Sequence, residues 1–181
     1  MLNQLKIGSR LAVGFSAVIA TFLVALGAIL WHQMEVLADA QQINDESLPY
    51  ALLADEMVLD VVQVQQFLQD ASATHNRESI GDAEQHAKEF KVSVEKFRSM
   101  FRKENDQEAV KTMDDIDRDF DEFFSRGKVM TEAYITQGVA AGNALMEDFD
   151  KRSDDLNEKL EKIRKTQVDE ANAMTSAIVT A

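Results

Sequence analysis

From Leu11 to Trp31 the chain reads LAVGFSAVIATFLVALGAILW, twenty-one residues without one ionisable side chain. A helix of about 20 apolar residues crosses the hydrocarbon core of a bilayer, so this run constrains the fold of the chain more than any other feature. A cleaved secretory leader is the competing reading, since a charged start and small residues at Ala25 and Gly27 are compatible with processing. The apolar core of a leader normally runs only ~7–15 residues, and the greater length here predicts an uncleaved anchor. Lys6 and Arg10 precede the run, and the next lysine or arginine is Arg77. Positive charge stays on the cytoplasmic side. Residues 1–10 are therefore expected as a cytoplasmic stub, 11–31 as a transmembrane helix in the inner (cell) membrane, and everything from His32 onward as periplasmic or extracellular. Trp31 and His32 are expected at the outer interface.

All thirty-two acidic residues lie beyond Trp31, so the net charge of −13 divides into +2 over residues 1–31 and −15 over residues 32–181. Such a surface repels phosphates, and affinity for nucleic acid comes mainly from neutralising them, which argues against a nucleic-acid partner. With no cysteine there is no disulfide scaffold, no thiolate metal site and no cysteine nucleophile. Seven glycines and a single proline, Pro49, are too few to punctuate a many-stranded sheet. An all-α fold is expected.

Apolar residues at steps of three and four mark the helices. The clearest stripe is Ala83, Ala87, Phe90, Val94, Phe97 and Phe101. Before it run Met57, Val61, Val64, Leu68 and Ala71; after it come Met113, Ile116, Phe120, Phe123, Gly127 and Met130, then Phe149, Leu156, Leu160 and Ile163. Breaks fall at Thr74 to Glu78, Lys103 to Asn105 and Gln137 to Gly142. Ser79 with Asp82, and Asn105 with Glu108, resemble capping boxes, and Gly138 and Gly142 bracket the last turn. The expected helices cover 33–74, 79–102, 106–136 and 142 to the end, with Pro49 kinking or interrupting the first near Leu48. Short connections predict a membrane-anchored, antiparallel up-down-up-down four-helix bundle with long first and last helices. The outer domain is bounded at 32–172, and ANAMTSAIVTA leads into 173–181 as the expected start of a truncated second transmembrane helix.

The opening Lys6-Ile7-Gly8-Ser9-Arg10-Leu11-Ala12-Val13-Gly14-Phe15 resembles the KIxxRLxxGF start of many bacterial methyl-accepting chemotaxis proteins. The Leu48-Pro49 pair and VVQVQQFLQDASAT, residues 61–74, also look like a helix-one pattern in a subset of these receptors. The resemblance implies a homodimeric transducer whose periplasmic four-helix bundle binds a ligand between its first and last helices. It further implies that a small shift of the last helix reaches a HAMP linker and a cytoplasmic coiled coil, neither within this sequence. The chemotaxis kinase and coupling protein would be partners only through that missing part.

Amino-acid-sensing members hold the ligand carboxylate with arginines on the first helix, whereas residues 11–76 here contain no arginine or lysine. That helix offers Asp60, Gln63, Gln66 and Asp70, whose steps of three and four place amides and carboxylates on one polar stripe. Such a stripe suits a cation, an amine or a neutral polar molecule better than an anion. Counting from the distal turn brings residues 63–70 level with 144–151, adding Glu147, Asp148, Lys151 and Arg152. No metal site is expected: His75 and His86, with Asp82 between them, would be the ligands, but a helix site wants steps of three or four. The run DDIDRDFDEFF, residues 114–124, reads as a solvated acidic face, because it lacks the central glycine of an EF-hand loop. No cofactor motif and no acid–base pair for catalysis is present.

The sequence thus points to the input region of a transmembrane chemotaxis receptor, not an enzyme, that binds a small signal and transmits it by helix displacement. The alternatives are the same input module on a histidine kinase or diguanylate cyclase, and a membrane-anchored helical adaptor that binds a protein.

Overall fold

The computed structural model describes residues 7–42 and 48–180. These form five helices and no strand: α1 (Ile7–Gln42), α2 (Leu48–Thr74), α3 (Glu78–Lys103), α4 (Gln107–Gln137) and α5 (Val139–Thr180). The chain divides into two compact units, one of residues 1–45 with 172–181 and the other of residues 46–171. Residues 1–6 of the expected stub, residues 43–47 and Ala181 lie outside the described residues.

In the first unit, the apolar run extends further than its uncharged core. The stretch Leu11–Ala38 of α1, 28 residues, is long and apolar enough to cross a membrane. Met34, Val36 and Leu37 prolong the apolar character past Trp31 despite Glu35, which carries the candidate span beyond the expected 11–31. Among the described residues no second segment meets that criterion; the expected start of another span lies in α5, which stays helical to Thr180.

The first helix expected over 33–74 is described as α1, which ends at Gln42, and α2, which begins at Leu48, with residues 43–47 outside the described residues. Pro49 occupies the second position of α2, where a missing N–H leaves no hydrogen bond unmade. Inside a continuous helix its ring would press on the carbonyl four residues back. With 27 residues α2 is close in length to α3, with 26, and α4, with 31, whereas α5, with 42, is the long helix among these four.

In the second unit the expected stripes face inward, with Ile163 at the end of the last one partly buried. Met57, Val61, Val64, Leu68 and Ala71 of α2 are fully buried, as are Phe90, Val94 and Phe97 of α3, Met113, Ile116, Phe120, Phe123 and Met130 of α4, and Phe149 and Leu160 of α5. Removing such a side chain from water contributes ~1.5–3 kcal/mol, so these stripes set the packing. Phe123 of α4 and Phe149 of α5 stack with centroids 4.9 Å apart. Gly127 makes room for this contact, because a Cβ there would lie 2.6 Å from Phe149 Cε2 and collide with Leu68.

Residues that meet across neighbouring helices run in opposite numerical order. Tyr50 meets Phe97, Asp60 meets His86 and Asp70 meets Ser79 between α2 and α3. Lys91 meets Asp117 and Arg98 meets Asp114 between α3 and α4. Glu122 meets Arg152, and Asp119 meets Lys159, between α4 and α5. Asp55 meets Arg164, and Gln69 meets Met146, between α2 and α5.

The turns use different chemistry from the expected boxes. Ser79 is buried and donates to Asp70 Oδ2 at 2.7 Å instead of capping; the α2–α3 turn is built by His75 at φ 58°, with Asn76 Oδ1 accepting from the Glu78 N–H. Helix α4 is capped one residue later than expected, by Asp106, which accepts from the Ala109 N–H at 2.9 Å, while Asn105 takes the left-handed conformation. Gly138 alone makes the last turn, at φ 90°, so α5 begins at Val139 rather than 142. Gly142 lies within α5 against the Tyr134 ring, with which a Cβ would collide.

Candidate functional site

Where α2 packs on α3 the buried residues include small ones, Ala71 of α2 and Ser79, Ala83 and Ala87 of α3. Along this seam Asp60 takes a position just beside the apolar stripe, with its side chain 9% exposed. His86 Nδ1 lies 3.0 Å from Asp60 Oδ1 and 3.4 Å from Glu89 Oε2, the latter one turn further along α3. Phe67 stacks on the His86 imidazole, with centroids 5.7 Å apart and planes 17° from parallel, which fixes the direction of the ring. Burial pushes the Asp60 carboxyl above its usual range, against the lowering pull of its hydrogen bond with His86; Glu89 and Glu56 add to the upward push. A groove of about 450 Å³ opens beside these groups, bordered by Glu56, Leu59, Gln85 and Val92 and by two lysines, Lys88 and Lys96.

Of the four residues expected as one polar stripe on the first bundle helix, Asp60 and Asp70 thus both turn toward α3, but to different partners, His86 and Ser79. Gln63 is half-buried and Gln66 exposed. The residues of α2 that engage α5 are their neighbours. Gln65 Oε1 accepts from Ser153 Oγ at 2.8 Å, while its Nε2 donates to Asp150 Oδ1 at 3.0 Å. Gln69 reaches Asp150 and the Met146 sulfur. The expected level of 63–70 against 144–151 agrees with these pairs; the side of the helix does not. Spacing by three and four from Asp60 selected one edge of the polar arc, and the adjacent edge, marked by Gln65 and Gln69 four apart, faces α5.

Asp148 and Arg152 lie on the side of α5 facing α4. Arg152 donates to Glu122 at 2.7 Å and to Asp148 at 3.2 Å, and Arg126 adds a contact to Asp148 at 3.8 Å. Exposed pairs of this kind contribute up to about 1 kcal/mol. Lys151 is exposed and borders a shallow depression on α5 with Asn143, Met146, Glu147, Asp150 and Asp154. The expected site residues are therefore spread over three faces of this unit: Asp60 and Asp70 at α3, Asp148 and Arg152 at α4, Lys151 and Glu147 on the outside.

His75, Asp82 and His86, the residues weighed as metal ligands in the sequence, do not converge. His75 sits exposed in the α2–α3 turn and Asp82 is exposed on α3. Among the described residues the convergent group of ligating side chains is Asp60, His86 and Glu89. Glu89 was legible only as the residue three beyond His86, on the same helical face; pairing that face with Asp60 required the packing of α3 on α2.

The acidic run of α4 is less solvated than expected. Asp114 and Asp117 hold Arg98, Asp117 and Asp121 hold Lys91, and Asp119 holds Lys159. Burial alone would raise the Asp117 carboxyl, but hydrogen bonds from Lys91 and Arg98 hold it below its usual value. Comparison of the chain with known protein families, curated proteins and solved structures finds no match.

Proposed function

We propose that the chain is the input region of a transmembrane receptor of the chemoreceptor kind, its N-terminus cytoplasmic and its helical unit outside the inner membrane. In this reading α2, α3, α4 and α5 form an antiparallel up-down-up-down bundle; the opposite numerical order of the residue pairs at each helix seam supports that topology. The positive residues before Leu11, and the absence of any other before Arg77, support the orientation. The opening KIGSRLAVGF, which resembles the start of methyl-accepting chemotaxis proteins, supports the class of output.

The observation that carries the reading is α5. It runs 42 residues without a break, contributes Phe149, Leu156 and Leu160 to the core, and passes from the compact helical unit at Ala171 into the other unit at Asn172. A displacement of its packed half is carried along its own axis. Polar, adjustable contacts that would register a ligand lie beside this core, Gln65 and Gln69 against Asp150 and Ser153. A ligand shifts α5 only by binding one of its positions better than the other.

The ligand in this reading is a small cation or neutral polar molecule, and of the expected contacts Asp60, beside the α2–α3 groove, is the candidate that stays; Asp70 is held by Ser79, and Asp148, Arg152 and Lys151 lie on other faces. The homodimer expected of such receptors is part of the proposal, and no reaction is assigned to the chain. The test is thermal unfolding of the full chain in detergent against zinc chloride, nickel chloride, putrescine, glutamine, aspartate and citrate. A saturable rise in melting temperature with a cation or amine supports the reading; no shift with any of them favours an adaptor that binds a protein instead.

A further inference from the structure

We infer that Asp60, His86 and Glu89 form a site for a first-row divalent transition-metal ion, bound by one imidazole and two carboxylates at the α2–α3 groove. This deepens the receptor reading by naming the class of ligand, and the site itself rests only on the geometry of these side chains. Imidazole and carboxylate ligands bind such ions at about 2.0–2.2 Å, so two neighbouring ligand atoms in a tetrahedral or octahedral shell stand about 2.9–3.5 Å apart. The His86 Nδ1 distances to Asp60 Oδ1 and Glu89 Oε2 are 3.0 and 3.4 Å. All three ligand atoms lie within 4.8 Å of one another. The pairs involving His86 thus already have coordination spacing, and closing the remaining one needs only a rotation of Glu89, whose side chain is 50% exposed.

The charge balance points the same way. Asp60 is a buried carboxylate with Glu56 and Glu89 near it and, among the described residues, only the His86 imidazole as a basic partner within ion-pair distance. Lys88 and Lys96 border the groove, but neither forms an ion pair with Asp60. A buried carboxylate without a permanent counter-ion is costly, and a dication placed between Asp60 and Glu89 removes that cost. The second fixed element is the ring direction: Phe67 stacks on His86 and holds the imidazole edge toward Asp60, the orienting role that neighbours of a metal-binding histidine supply. Three protein ligands leave further positions of the shell to water, and the groove outside keeps them accessible. Such a site exchanges its ion with the medium, as a sensor of free metal requires.

The experiment is a calorimetric titration of the full chain, tag-free and in detergent, with zinc, repeated with cobalt while following visible absorption. The expected result is one saturating equivalent per chain and cobalt ligand-field bands that move on binding. His86→Ala and Glu89→Gln each weaken the affinity at least about tenfold, while His75→Ala and Asp82→Ala leave it unchanged. His86 and Glu89 are partly or well exposed, so both variants retain the helical fold, checked by circular dichroism. Absence of saturable binding below about 1 mM, or full binding by both His86→Ala and Glu89→Gln, overturns the inference. A melting shift with putrescine or glutamine and none with zinc or nickel overturns the metal site while leaving the receptor reading intact. Zinc bound at Asp60, His86 and Glu89 with α5 unmoved upholds the site and removes the receptor reading.

Discussion

Phe90 of α3 and Phe120 of α4 lie face to face, with ring centroids 3.9 Å apart and planes 9° from parallel, and neither is exposed to any extent. Phe120 also meets Phe123 and Phe124 of its own helix. One ring therefore ties α3 to the aromatic cluster that continues through Phe123 to Phe149 of α5. Truncating a fully buried phenylalanine costs ~3–5 kcal/mol. Phe120→Ala is expected to lower stability by that amount, measured by denaturant unfolding of the full chain in detergent; a loss of about 1 kcal/mol or less would place the centre of the core elsewhere.

Two glycines are required by packing rather than by backbone conformation. Gly127 gives its place to Leu68 and Phe149, and Gly142 to the Tyr134 ring. Overpacking a core position costs ~1–3 kcal/mol. Gly127→Ala and Gly142→Ala should each destabilise by that much, while Gly81→Ala, at a helical position with open space around it, should stabilise by up to ~1 kcal/mol. Equal melting temperatures for all three would contradict these close approaches.

Asp117 sets an acid limb of stability. Because Lys91 and Arg98 hold its folded carboxyl below the unfolded value, the ion contacts stabilise the fold above about pH 4 and are lost as pH falls through the folded pKa. Asp117→Asn should be less stable than the parent at neutral pH, and the gap should narrow below about pH 4. A pH-independent gap would mean that the charge of Asp117 contributes nothing.

Much of this fold was legible in the residues. The stripes from Met57 to Ala71 and from Ala83 to Phe101 became core because helical periodicity leaves no other face for large apolar side chains. Even the level of α2 against α5 followed from counting, as the Gln65 and Gln69 contacts to Asp150 agree with it. What counting could not resolve is which edge of a polar arc meets a neighbour. Gln63 and Gln65 differ by about half a turn, and the choice between them depends on how α3 and α5 share the circumference of α2. Glu89 escaped notice for the same reason, since its link to Asp60 exists only across a helix seam. The kink or interruption expected near Leu48 falls where α2 begins, with Pro49 in its first turn.

Orientation across the membrane is testable without background, because the chain has no cysteine. Thr136→Cys, exposed at the end of α4, should react with a membrane-impermeant maleimide in intact spheroplasts, and Asn3→Cys should react only after lysis. The reverse pattern would invert the proposed topology.

The central claim is that occupancy of the outer helical unit moves α5 along α2, and pulsed electron-spin distance measurement tests it most directly. Spin labels at Leu52→Cys and Lys165→Cys, both exposed, report the spacing near the Asp55 and Arg164 contact in the full chain, with and without zinc. The account predicts a change in the distance distribution of about 1–2 Å that disappears in the His86→Ala background. Zinc bound to the parent with an unchanged distribution would contradict it.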